Sequence, residues 1–405
     1  MTTFTRASGV LLPVTSLPGG TLGDEALRFV DWLVEAGQRW WQILPFGPPD
    51  RYGSPYASPS AFAGSPTWLD DRDAAVSADE VEEFVACHPF WSGSWASFAG
   101  AGALVDQVRF DREWRRVRAH AAERDVHVLG DMPFAVGPGS ADHVSHAELF
   151  KPGVVGGVPP DDWSADGQRW GTPVYDWAAI RALGFQWWIE RVRRAMELVD
   201  AVRIDHFRGF VAAYEIPADN RTGRRGTWVR GPGRAVFDAV TAALGPVPVV
   251  AENLGLITPP VERLRTELGF PGSVVLQFSF ASSMVNPARG TIDRDNVVYT
   301  GTHDNDTTVG WWHDASDAER GRVEDAARAQ HIDDPEPHWM FVRLALESDG
   351  VLAIVPAQDL LGLDSSARIN VPGRAEGNWR WRLEPGQLGR ALAARLRDAT
   401  EAAGR

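Results

Sequence analysis

Eight short apolar runs punctuate the chain, at 9–12, 40–44, 126–130, 201–204, 248–251, 273–278, 297–300 and 351–355. Runs of this length, rich in Val, Ile and Leu, read as buried strands. Between several of them apolar positions recur at helical spacing. Asp24 is placed to cap a helix with Leu27, Val30, Leu33 and Val34 on one face, stopped by Gly37. Ala178 to Leu198 reads as one helix leading into the fourth strand. Pro259-Pro260 opens another, with Val261, Leu264 and Leu268 inward, and Leu388, Leu392 and Leu396 mark a terminal one. Strand and helix in alternation predict parallel strands. Eight units predict closure into a (β/α)8 barrel; six or seven would make an open sheet.

The gaps from the second to the third run, and from the third to the fourth, far exceed one helix. They are rich in Gly, Pro, Ser and Trp. This predicts a single barrel over 1–405 with insertions at 45–125 and 132–198, after strands 2 and 3. Long loops at a barrel's active face usually shape the substrate site.

Three of the runs lead to an acid: Asp205 after Ala201-Val202-Arg203-Ile204, Glu252 after Val249-Val250-Ala251, and Asp304 shortly after Val297-Val298-Tyr299. Barrel chemistry sits at the carboxyl ends of the strands. One acid there is commonly a cap, and Arg-x-Asp alone commonly an ion pair. Three acids at three tips, with Arg and His partners, point to chemistry at a glycosidic bond. Retaining glycosyl transfer needs a nucleophilic carboxylate and a second carboxyl group that gives and takes a proton. Asp205 is the candidate nucleophile. Arg203, two residues earlier, shares its side of the strand and favours the ionised form. Glu252 is the candidate acid/base, which requires its pKa to lie above that of Asp205. Asp304, with His303, is placed to clamp sugar hydroxyls and favour a cationic transition state. His206, at the tip beside Asp205, is placed to bond a sugar hydroxyl.

Composition narrows the classes. A net charge of −14 argues against a nucleic-acid partner. The start lacks a signal-peptide pattern, and no apolar run is long enough to span a membrane, so a soluble cytoplasmic chain is expected. Cys87 is the single cysteine, which excludes an intramolecular disulfide, and it reads as a buried thiol. Lys151 is the single lysine, and no phosphate-binding loop of the Walker type is present. His143 and His146 lack a third ligand nearby, so they read as a surface pair and no metal is expected. The 18 Trp against 5 Tyr suit sugar stacking. Trp40, Trp41, Trp187 and Trp188 read as core. Trp170, in a Gly-bounded loop, and Tyr56 are candidate sugar platforms.

The chain resembles the amylomaltases, the 4-α-glucanotransferases of the wider α-amylase clan. The resemblance runs nearly end to end, through LLPVTSLPG (11–19), WQILPFGP (41–48), SPYASPSAFAGSP (54–66), GDMPFAV (130–136), GVPPDDWSADGQRWGTPVYDW (157–177), VRIDHFRGF (202–210), TWVRGPG (227–233), VVAENLG (249–255), GTHDNDT (301–307) and ARINVPGRAEGNWRWRL (367–383). It implies a barrel with inserted subdomains and no separate C-terminal β domain. The implied reaction breaks an α-1,4-glucan, holds the glucanosyl unit covalently and passes it to another sugar's 4-hydroxyl, with no cofactor and no metal. Asp205, Glu252 and Asp304 match the family's nucleophile, acid/base and transition-state stabiliser. Ser54, Tyr56, Asp131, Gln168, Trp170, Arg203, His206, His303, Asn370 and Pro372 match substrate contacts. The chain departs from the family in a shortened stretch between Trp68 and Val126 and in Asn253, where an acid is more usual. The implied partners are maltooligosaccharides and starch-type glucans. Rival readings are an α-glucan hydrolase and a catalytically silent glucan-binding protein.

Overall fold

The computed structural model describes residues 4–160, 164–281 and 292–405. Asp161, Asp162 and Trp163 of the GVPPDDW motif lie outside the described residues. Eight strands close into a barrel: Ala7–Leu11, Trp40–Gln42, His127–Met132, Ala201–Ile204, Val249–Ala251, Gly272–Val275, Asn296–Tyr299 and Leu352–Pro356. Every pairing is parallel, and the last strand returns to the first through Ala7↔Leu352 to Leu11↔Pro356. The choice between barrel and open sheet is settled by that closure.

Two apolar layers alternate along the strands. Ala7, Leu11, Trp40, Leu129, Ala201, Val250, Val275, Val297 and Ile354 fill the interior. Val10, Leu12, Trp41, Val128, Val202, Ile204, Val298 and Val355 face the helices. The period of two therefore turns Arg203 inward with Ala201. Gly9 makes room for Trp40: a Cβ there would fall 2.5 Å from the Trp40 Cβ.

Several predicted boundaries differ. Asp24 is the first residue of helix Asp24–Glu35, not its cap; Gly23 holds that place. The Asp24 carboxylate instead reaches Arg116 at 2.8 Å. Val34 is 44 % exposed, and Phe29 takes the inward position. Ala178 to Leu198 is two helices, Trp177–Ala182 and Gln186–Leu198, because Gly184 and Phe185 both adopt left-handed φ, 64° and 61°. The run 273–278 turns helical at Leu276. Leu388 precedes the terminal helix, Arg390–Ala402. Cys87 is exposed rather than buried, because it ends the surface helix Ala78–Cys87.

The segment after the second barrel strand carries helices Ala78–Cys87, Ser92–Ala99 and Ala103–Ala122. The first is fixed by a capping box between Ser77 and Glu80. The third ties the segment to the barrel. Asp111 meets the buried guanidinium of Arg194 at 2.7 Å, and Gln107 exchanges two hydrogen bonds with the backbone of Gly64, at 2.8 and 2.9 Å. Those bonds anchor the loop that carries Tyr56.

A second sheet, not foreseen from the sequence, covers part of the barrel mouth. Val154–Val158, Gln168–Arg169, Ala212–Pro217 and Thr227–Arg230 form it, antiparallel throughout. Its strands come from the loops after barrel strands 3 and 4 alike. Lys151 pairs with Glu215 across it at 2.6 Å.

Candidate active site

The strand ladder continues past its last residues and sets the acids. Asp205 N donates to Met132 O, and Glu252 N donates to Ile204 O, both at 3.0 Å. Both carboxyl groups thus sit on the barrel's carboxyl rim. Asp304 lies further out, on the loop after Asn296–Tyr299. Thr302 bonds Asn305 there through its amide and hydroxyl, at 3.0 and 2.8 Å. Arg368 Nη2 holds the Asp304 carbonyl at 2.6 Å.

One chain of contacts joins most of the predicted residues. Asn370 Nδ2 donates to Asp304 Oδ1 at 2.6 Å, and the same oxygen is 3.3 Å from His303 Nε2. His303 stacks on Tyr56 with ring centres 4.9 Å apart. The Tyr56 hydroxyl donates to Asp131 Oδ2 at 2.7 Å. Asp131 accepts from Arg203, and Arg203 Nη2 lies 3.2 Å from Asp205 Oδ1. Glu252 joins through the backbone: His206 N donates to its Oε2, and Leu254 N to its Oε1, both at 2.8 Å. Residues 205, 252 and 304, distant along the sequence, meet at one mouth.

His206 adopts a left-handed φ of 50°, which aims its amide at Glu252. Trp170 meets the His206 ring edge to face at 4.8 Å, and its indole N–H donates to Gln168 at 3.0 Å. A small hollow opens here, lined by Trp170, Tyr175, Trp177, His206 and Tyr214 among others. Ser54 and Pro372 stay outside the contact chain. Ser54 Oγ accepts from Tyr56 N at 3.3 Å and so shapes the turn, while Pro372 is exposed.

Burial dominates the electrostatics. It pushes the Asp205 carboxyl up to about 8, with Arg203 opposing and Asp131, Glu252 and Asp304 adding. It raises Glu252 too, against Arg203 and the two amides. Both carboxyl groups are thus raised, crowded beside one guanidinium that Asp131 already shares. The acid/base order expected from the sequence, Glu252 above Asp205, is not set by this resting geometry: the two amides favour ionised Glu252. Burial lowers His206 to about 3 and lowers His303, so both imidazoles are neutral. Burial, then Asp131, raises Tyr56 well above its ordinary value, which keeps it a donor.

Trp379, with φ of 64°, packs against Tyr56 and His303 at 5.9 and 6.0 Å. Neither it nor Arg368 was singled out from the sequence, although both lie in the ARINVPGRAEGNWRWRL segment. Asn253, the departure noted above, bonds Glu262 and Ser273, both at 2.7 Å, and so ties the Glu252 loop to the next helix and strand. His143 and His146 do not converge: His143 accepts from Gly139 N, and His146 stacks on Phe90. Among the described residues no cluster of three or more His, Cys, Asp or Glu could hold a metal ion. Nor, among them, is any helix long and apolar enough to cross a membrane.

Comparison with known proteins agrees with this geometry. A family model described as 4-alpha-glucanotransferase matches residues 12–88 and 103–388. The chain is 39 % identical to a 4-alpha-glucanotransferase of Thermus thermophilus, across 98 % of each chain. It is 37 % identical to one of Synechocystis, across 99 % of this chain and 98 % of that one. Among solved structures, an amylomaltase from Streptococcus agalactiae in complex with acarbose superposes with a TM-score of 0.91, at 29 % identity and 99 % coverage of both chains.

Proposed function

Since this chain belongs to the 4-alpha-glucanotransferase family, we propose that Asp205, Glu252 and Asp304 carry the transfer it performs. The enzyme is a 4-alpha-glucanotransferase, an amylomaltase acting on α-glucans. Its donors are maltooligosaccharides and starch-type glucans.

Asp205 attacks the anomeric carbon of the donor glucose, while Glu252 gives a proton to the departing glycosidic oxygen. The leaving sugar departs and a glucosyl ester remains on Asp205. Glu252, now ionised, takes the proton from the acceptor's 4-hydroxyl as that oxygen displaces the ester. Two inversions give net retention. Before the first step the proton must sit on Glu252 and Asp205 must be ionised. A donor ring that brings partial positive charge to Asp205 favours that state.

The remaining groups orient the ring. Asp304 and His303 sit where a sugar's adjacent hydroxyls can be clamped. Neutral His206 both donates and accepts. Trp170 and Gln168 close over His206 and limit water at the covalent intermediate. The insertions 45–125 and 132–198 serve as loop supports of a single catalytic barrel.

One observation carries this assignment: the continuous contact chain from Asn370 through Asp304, His303, Tyr56, Asp131 and Arg203 to Asp205. The test is incubation with maltotriose. Glucose together with maltodextrins longer than the donor is the expected product set. Glucose and maltose without lengthening would identify a hydrolase, and no turnover with retained glucan binding would identify a silent binder.

A further inference from the structure

Arg208 is a buried cation, 6 % exposed, and among the described residues it forms no ion pair. A buried charge without a counter-ion is costly, so packing alone does not account for it. Its contacts are specific. The guanidinium carbon lies over the indole of Trp228, 3.6 Å from the ring centre. Its Nη1 donates to the carbonyl oxygen of Leu256.

That carbonyl belongs to the loop after Glu252. Two residues before it, Leu254 N donates to Glu252 Oε1 at 2.8 Å. Two residues before Arg208 itself, His206 N donates to Glu252 Oε2, also at 2.8 Å. Both amide anchors on the Glu252 carboxyl thus lie two residues from one end of a single guanidinium bridge. Asn253 fastens the start of that loop to Glu262 and Ser273, and the Arg208 bond fastens it further along, at Leu256. Leu256 is 52 % exposed, and Gly255 beside it adopts a φ of 78°. A guanidinium is planar and stacks on an aromatic face while donating in its own plane. Trp228, from the outer sheet, therefore backs the guanidinium whose Nη1 reaches Leu256.

We propose that Arg208 is a positioning residue for Glu252: clamped against Trp228, it pins the Leu254–Leu256 loop and so sets where the acid/base carboxyl stands. This rests on the assignment of Glu252 as acid/base. It makes a claim that a purely structural arginine does not. Loss of the bridge should damage the proton-transfer step and spare both donor binding and nucleophilic attack.

The experiment compares wild type, Arg208→Gln, Trp228→Ala and Glu252→Gln on two donors, with thermal unfolding followed for each. Maltotriose needs a proton on its leaving oxygen. p-Nitrophenyl α-maltotrioside does not, and its nitrophenol burst reports formation of the covalent intermediate alone. Arg208→Gln should lower kcat on maltotriose by at least ~10-fold, part of the ~10²–10⁴ that a positioned proton donor supplies. KM should hold, and so should the burst rate. Trp228→Ala should shift the same way by less. Equal losses on both donors, or a rise in KM alone, would overturn the proposal. If Arg208→Gln does not fold, Trp228→Ala decides it, since the Leu256 bond then loses only its aromatic backing; wild-type behaviour there refutes the clamp. Glu252→Gln separates the two levels. If the activated donor does not rescue it, the acid/base assignment fails. If it is rescued and Arg208→Gln is not, the positioning claim fails alone.

Discussion

Arg203 Nη1 lies 2.8 Å from both carboxylate oxygens of Asp131, while its Nη2 stands 3.2 Å from Asp205. The guanidinium beside the proposed nucleophile therefore spends most of its field on a different acid. Asp131 and Arg203 are almost sealed, with side chains 0 % and 6 % exposed. Asp205 gets the remainder, and this is why burial can push its carboxyl upward despite a cation two residues away.

Asp131→Asn should redirect Arg203 to Asp205. The Asp131 charge also raises Asp205 directly, so its removal lowers the Asp205 pKa twice over. The acid limb of kcat/KM against pH should move to lower pH. The fold should weaken, by up to about 3–5 kcal/mol for a buried pair broken from one side. A pH–rate profile and denaturant unfolding check the two halves separately.

Asp205→Asn should abolish transfer and stabilise the fold. The carboxyl is raised from 3.8 to about 8 in the folded chain. Between those values the folded state keeps a proton that the unfolded state has released. Wild-type stability therefore falls as pH rises from about 4 through about 8. Asparagine removes that slope. The Tm advantage of the variant should be absent near pH 4 and grow steadily as pH rises to about 8. A Tm difference that stays flat from about pH 5 to pH 8 would mean Asp205 is held ionised throughout.

Tyr56→Phe keeps the stack on His303 and removes the bond to Asp131. A hydrogen bond to a charged acceptor contributes about 1.5–3 kcal/mol. The variant should lose that order of stability and a corresponding share of kcat/KM, because Asp131 then leans only on Arg203. Calorimetry against maltotriose kinetics reads both. Unchanged Tm and kinetics would show that the hydroxyl does not tie the Asp131–Arg203 pair to the mouth.

Asn370→Ala leaves Asp304 Oδ1, on a side chain 48 % exposed, with only its 3.3 Å contact to His303. If Asp304 stabilises the transition state, kcat should fall about 10–100-fold, matching the loss of one charge-assisted bond, with KM little changed. A pure KM effect would place Asp304 in ground-state binding instead.

The eight strands and the tips bearing Asp205 and Glu252 were legible in the sequence, because a β-branched run that stops at a charge is a local signal. Arg203 facing the interior followed from the period of two. Local signals also misled. The apolar spacing across 178–198 hides the left-handed break at Gly184 and Phe185. Leu276, Gln277 and Phe278 fit strand and helix equally, and helix is what forms there.

The outer sheet was invisible. Its shortest strand is two residues long, and its partners come from two different loops, so no periodicity announces it. The same holds for Arg203 choosing Asp131 from 72 residues away, and for Arg208 reaching Leu256 between neighbouring strand tips. The sequence determined which residues could carry charge into the mouth and which strands would bring them there. Tertiary structure alone decided how that charge is shared, since burial and the competition of two acids for one guanidinium exist only once distant strand ends are packed side by side.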